Sequence, residues 1–103
     1  MVRHFVSWNF KEHGTEKERA EVISAIRNKI QEVTNLCDGC ISCEVYAPLL
    51  NTSTADVLLS GLFLSEKDLA EYQVHPVHQE AVAIIKENLT NRVCVDFEVS
   101  DER

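Results

Sequence analysis

Apolar and polar residues alternate at both ends of this chain and recur at helical spacing in between. Over residues 3–11, His4, Val6, Trp8 and Phe10 fall on one side of an extended backbone, with Phe5, Ser7 and Asn9 on the other, so the spacing predicts a strand. Gly14 and Thr15 close it. Thr15 and Glu18 have the form of a capping box, in which each side chain satisfies the other residue's backbone N–H. Val22, Ile23, Ile26, Ile30 and Val33 then carry a helix to about Asn35. After the turn signal Asp38-Gly39, Ile41, Cys43 and Val45 alternate with Ser42, Glu44 and Tyr46 in a second strand that stops before Pro48. Residues 51–56 form a small polar loop. The nearly continuous apolar run over residues 57–64 predicts a strand covered on both faces. Ser65 with Asp68 caps a short helix, Glu66–Val74, which His75-Pro76 breaks because a residue before proline avoids helical backbone. A further helix reaches about Leu89, with Val77, Ala81, Ile84 and Ile85 inward. Residues 92–100 alternate again, Val93, Val95, Phe97 and Val99 against Cys94, Asp96 and Glu98, and residues 101–103 read as a frayed end.

The order is β-α-β-β-α-β with the second helix broken. It predicts an α+β, ferredoxin-like protomer whose antiparallel sheet has helices on one face, as a single domain over residues 1–103. With His4 and Asp96 turned toward the helices, where they can meet His78, the valines and Phe97 of the last strand face outward and would be wet in a monomer. A second copy, sheet against sheet, closes a barrel with the helices outside, so the expectation is a homodimer.

Composition narrows the partners. A net charge of −7 disfavours a phosphate backbone and an anionic membrane surface alike. No run is long enough to span a bilayer, and the alternating N-terminus offers no apolar leader core. Four cysteines without a secretory signal point to reduced thiols in the cytoplasm, which leaves the sequons at Asn51 and Asn88 without weight. With only three glycines and no phosphate-cradling loop, no nucleotide or other cofactor is expected.

The chemistry-bearing stretch is Tyr72-Gln73-Val74-His75-Pro76-Val77-His78, which holds two of the four histidines and a phenol. Imidazole titrates near neutrality, so His78 held by Asp96 forms a dyad able to take a proton from an acidic C–H. The alternative is a buried histidine satisfied by a carboxylate, tying the last strand to the helix. Tyr72 reads either as a donor to an oxyanion or as a core ring with its hydroxyl on the backbone. His75 reads as a helix cap, and His13 beside Gly14 as solvated. The expected pocket between sheet and helices is lined by His4, Val6, Trp8, Val57 and Leu59. Cys37, Cys40 and Cys43 have C-x2-C-x2-C spacing, but Cys94 is distant, and Cys40 and Cys43 on one strand would point to opposite faces. They read as small buried thiols, with no metal expected.

The opening Arg-His-Phe-Val strand with His4, the helix after Thr15-Glu16-Lys17-Glu18, Tyr72-x-x-His75-Pro76-x-His78 and the closing Val95-Asp96-Phe97-Glu98-Val99 together resemble the stress-responsive dimeric α/β-barrel family, the Dabb domains. The resemblance implies a ferredoxin-like protomer in a dimeric barrel. Some family members are stress proteins of plants and others cofactor-free polyketide cyclases. By that resemblance, His78 would act as general base, Asp96 would hold its ring, Tyr72 would steady a substrate carbonyl and His4 would line the pocket. The cyclase pattern also has a histidine on the third strand, where this chain has Val57-Leu58-Leu59. The readings carried forward are a module binding a small apolar, phenolic or polyketide-like molecule beside His78, a cofactor-independent cyclase or isomerase, and a cofactor-free monooxygenase.

Overall fold

A computed structural model describes residues 1–11 and 14–100; the expectations for His13 and for residues 101–103 lie outside it. The elements are β1 (Val2–Phe10), α1 (Glu16–Leu36), β2 (Cys40–Tyr46), β3 (Val57–Phe63), α2 (Glu66–Val74), α3 (Pro76–Asn88) and β4 (Leu89–Glu98). The strands form one antiparallel sheet in the order β2-β3-β1-β4, the ferredoxin-like α+β arrangement. The periodicity located each element; the departures arise where backbone irregularities shift a face or an end.

The capping box forms as expected. Thr15 Oγ1 accepts from Glu18 N at 3.1 Å while Glu18 Oε1 accepts from Thr15 N at 3.3 Å. Ile23, Ile26, Ile30 and Val33 of α1 are buried against the sheet, on the side to which β1 turns Val2, His4, Val6 and Trp8. Gly39, in the turn that follows α1, lies against the first turn of α2. A Cβ there would overlap the Asp68 side chain, which Ser65 Oγ holds through a 2.6 Å hydrogen bond.

β2 corrects one expectation. Its register with β3 slips between Cys40 and Ser42, and the extra residue brings Cys40 and Cys43 both inward. Ile41 is consequently turned out. In β4 the strand begins at Leu89, three residues earlier than the alternation suggested, because α3 runs into it directly. Asn91 takes up the change of direction at φ 56°, left-handed backbone that asparagine tolerates, opposite a register shift between Ser7 and Asn9. The strand ends at Glu98, and half-buried Val99 bonds back through its N–H to the Met1 carbonyl at 2.9 Å.

The face of the sheet away from the helices is apolar and open. Val93, Val95 and Phe97 are 58%, 52% and 43% exposed, Phe97 stacks on Phe5 of β1, and Tyr46 extends the patch onto β2. Among the described residues, no helix is long and apolar enough to cross a membrane.

Candidate functional site

The β1–β4 register sets His4 opposite Asp96 and Val6 opposite Cys94, all with side chains on the helix side of the sheet. His4 is buried, and its Nδ1 hydrogen-bonds directly to Asp96 Oδ1. Cys94 Sγ completes the group, 3.5 Å from Asp96 Oδ2 and 3.8 Å from His4 Nδ1. The expected dyad is thereby corrected: Asp96 holds His4, not His78. The carboxylate meets the imidazole of its own cross-strand neighbour, and that pairing commits it.

His78 stands in the first turn of α3, half-buried, with its ring centroid 4.6 Å from that of Tyr72. Its Nδ1 is buried and has no hydrogen-bond partner among the described residues. Burial lowers its pKa from the ordinary histidine value; the Gln73 backbone pulls the other way, while His4, Arg92 and His75 add to the depression. The ring is therefore held neutral at physiological pH. Tyr72 is fully buried, packed edge-on to Phe63 at 4.9 Å, with its hydroxyl 3.4 Å from Cys43 Sγ. Burial raises its pKa, so it stays a protonated phenol.

His75 sits between two helices and serves both. Its backbone N–H bonds to Tyr72 O at the end of α2, and its Nδ1 accepts from Val77 N at 3.1 Å at the start of α3. Pro76 thus separates the histidines by role, one a cap and the other a side chain turned inward.

The residues expected to line a pocket, His4, Val6, Trp8, Val57 and Leu59, are all buried on the inner face of the sheet. Their apolar members belong to the contiguous hydrophobic core. Two clefts lie elsewhere. One, of about 590 Å³, opens between α1 and the β2–β3 loop, with Phe10, Arg19, Ile23, Arg27, Pro48 and Leu50 in its wall. The Arg27 guanidinium is spent there on the Val45 and Ala47 carbonyls, at 3.0 and 3.3 Å, and that of Arg19 lies over the Phe10 ring at 4.6 Å. The other, about 280 Å³, lies beside Arg27, Gln31 and Cys43. Neither is lined by His4, Tyr72, His78 or Asp96. The first cleft left no signal in the periodicity, because the α1 charges read as a solvated face.

All four cysteines are free thiols. Burial pushes Cys40 up to about 11 and Cys43 up to about 12, and the pKa of Cys37 is raised by the same cause. Cys94 is raised by burial and by Asp96, with Arg92 opposing. At neutral pH these are thiols rather than thiolates.

Several solved structures share this fold. A dimeric protein of unknown function and ferredoxin-like fold from Bacteroides fragilis matches at 24% identity and TM-score 0.85, over 95% of each chain. A dimeric ferredoxin-like protein of unknown function from Thermobifida fusca matches at 24% identity and TM-score 0.78, over 95% of this chain and 90% of its own. A Dabb family protein from Mesorhizobium loti matches at 15% identity and TM-score 0.72, over 97% of both. No curated protein sequence matches this one. The family model for the stress responsive A/B barrel domain matches residues 2–99, nearly the whole of the folded chain. The helix-side histidines, the broken α2–α3 helix and the open sheet face thus sit on a protein that belongs to the stress responsive A/B barrel (Dabb) domain family.

Proposed function

We propose that the protein works as a homodimer, sheet face against sheet face, and binds a small apolar or phenolic molecule beside His78 without turning it over. The observation that carries the ligand reading is the buried Nδ1 of His78, unpartnered among the described residues. A buried polar atom left without a partner costs about 1–3 kcal/mol, a cost that a bound hydroxyl or carbonyl group would remove. A neutral imidazole offers one donor and one acceptor, which suits a phenol or an enol. Tyr72 packs against its ring and Phe63 packs edge-on to Tyr72, an aromatic neighbourhood that suits the ring of such a ligand. The homodimer reading rests on the exposed apolar face of β1 and β4 and on relatives that are themselves dimeric. Four free thiols suit a reducing cytoplasm, and a charge of −7 suits neither nucleic acid nor an anionic bilayer.

Binding is favoured over catalysis because the groups a cyclase would need are engaged elsewhere. Asp96 is held by His4, the Tyr72 hydroxyl lies on Cys43, and β3 turns only Val57, Leu59, Gly61 and Phe63 toward the helices. One observation keeps the second reading, a cofactor-independent cyclase or isomerase. His78 is held neutral and so is able to accept a proton, and Asp96 would have to leave His4 to steady the imidazolium.

The test is capture from a metabolite extract on immobilised wild type and on His78→Ala, the retained small molecules read by mass spectrometry. An apolar or phenolic compound held by wild type and lost in a folded His78→Ala dimer supports the reading. Identical retention by the two proteins, or none by either, overturns it. Conversion of the captured compound by wild type would move the assignment to the enzyme.

A further inference from the structure

The group His4, Cys94 and Asp96 brings an imidazole nitrogen, a sulfur and a carboxylate oxygen within 4.8 Å of one another. We infer that these three side chains form a zinc-class divalent metal site, with the fourth position open. The inference rests on its own geometry and does not depend on the ligand proposed at His78.

Strand geometry makes the site. Cys94 and Asp96 are two apart on β4 and so share a face, and the antiparallel register places His4 directly across from Asp96 and diagonal to Cys94. Three ligands on two hydrogen-bonded strands are held by backbone rather than by flexible loops, which is what a preorganised site requires.

Distances support the reading. A tetrahedral zinc with Zn–S of about 2.3 Å and Zn–N or Zn–O of about 2.1 Å sets its donor atoms about 3.4–3.7 Å apart. Cys94 Sγ lies 3.5 Å from Asp96 Oδ2 and 3.8 Å from His4 Nδ1, each within about 0.2 Å of the sulfur-to-nitrogen or sulfur-to-oxygen edge of about 3.6 Å. The third edge, from His4 to Asp96, is closed by a direct hydrogen bond. That pair has to open to the donor spacing of about 3.4 Å for the ion to enter.

The donor set selects the class of ion. Thiolate with imidazole suits zinc and its borderline neighbours, while magnesium and calcium take oxygen donors. Binding balances when two protons are followed. The Cys94 thiol gives its proton to the buffer as the metal–sulfur bond forms. The proton held between His4 Nδ1 and Asp96 leaves to solvent while Nε2 keeps or takes up one, which frees the Nδ1 lone pair for the metal. Three protein ligands leave the fourth position to water, the pattern of open rather than closed zinc sites. His4 is buried while the Asp96 side chain is 40% exposed, so the ion has protein on one side and a path to solvent on the other. The C-x2-C-x2-C run of Cys37, Cys40 and Cys43 is not the better candidate. Among the described residues His4, Cys94 and Asp96 are the group of three that converges, and Cys40 and Cys43 are buried thiols inside the core.

The experiment is a cobalt(II) titration of the chelator-treated, reduced full-length protein, followed by zinc(II) competition. Expected are one cobalt per chain, a thiolate-to-cobalt charge-transfer band with intense tetrahedral d–d absorption, and bleaching of both by zinc. Cys94→Ser, a nearly isosteric change, removes the charge-transfer band. Asp96→Asn weakens binding at least about tenfold, the loss that even outer-sphere changes cause. A Cys37→Ser/Cys40→Ser double variant keeps the full spectrum. Absence of the band in wild type, its persistence in Cys94→Ser, or its loss only in the double variant would each overturn the assignment. Circular dichroism on every variant separates loss of ligand from loss of fold.

Discussion

His78 is the residue on which the functional reading turns, and its environment has a measurable consequence. Its pKa is lower in the folded protein than in the unfolded chain. Stability from this group is therefore fully present above the unfolded value of about 6.5 and is lost as pH falls toward the folded value, because the unfolded chain takes the proton first. Urea unfolding between about pH 7.5 and pH 5 is expected to show wild type losing more stability than His78→Gln, whose side chain does not titrate there. Equal losses would contradict the burial of a neutral ring. Tyr72 supplies a second check. Removing its hydroxyl takes away only a weak bond to a thiol. Tyr72→Phe is thus expected to cost no more than about 1 kcal/mol in urea unfolding. A much larger loss would give the hydroxyl a structural role beyond Cys43. At this scale the sequence was legible in part. His4, Tyr72, His78 and Asp96 all turn to the helix side of the sheet, but which histidine receives the carboxylate depended on register. Alternation places Asp96 on a face; it does not say that His4 is the residue directly opposite. Alternation puts Cys94 on the face of Asp96, but it does not bring the thiol together with His4, which again depends on register.

Elements were the most legible level, because their ends carry local chemistry. The Thr15–Glu18 box, the Ser65 cap and the His75-Pro76 break stand where side-chain type and spacing required them. Thr15→Ala removes one arm of the box and is expected to lower stability by about 1 kcal/mol, read as a shift in urea midpoint with unchanged slope. Gly39→Ala is expected to cost more, about 1–3 kcal/mol, since the added methyl meets the anchored Asp68 side chain rather than solvent. A neutral outcome would mean that α2 shifts freely at its first turn. What stayed illegible were the two irregularities, the slip in β2 that turns Cys40 and Cys43 the same way and the left-handed Asn91 at the head of β4. Each is a single residue out of period, decided by long-range pairing, so no local pattern announces it.

At the scale of the molecule, one face of the sheet is covered by helices and the other is open. The apolar strip of Phe5, Val95 and Phe97 is flanked by Val93 and Tyr46, an exposed apolar face of the kind that marks an interface. Covering it with the same strip of a second copy buries it by self-complementarity, the usual route to a two-fold dimer. A charge placed in that seam would lie buried and unpaired. Phe97→Asp is expected to raise the dimer dissociation constant about a hundredfold, some 3 kcal/mol, in sedimentation equilibrium. An unchanged constant would place the interface elsewhere. The open apolar face is legible in the sequence because β4 is apolar on the side away from the helices. The interior is not: periodicity turns Val6, Trp8, Val57 and Leu59 inward but cannot tell a lining residue from a filling one, and all four lie in the contiguous core.

The measurement that reaches the central claim most directly is native mass spectrometry of wild type and His78→Ala after incubation with a metabolite extract. The account predicts a dimer that carries one small-molecule adduct per chain for wild type, and a bare dimer for His78→Ala. A monomer, a wild-type dimer without adduct, or an adduct that survives in His78→Ala would contradict it.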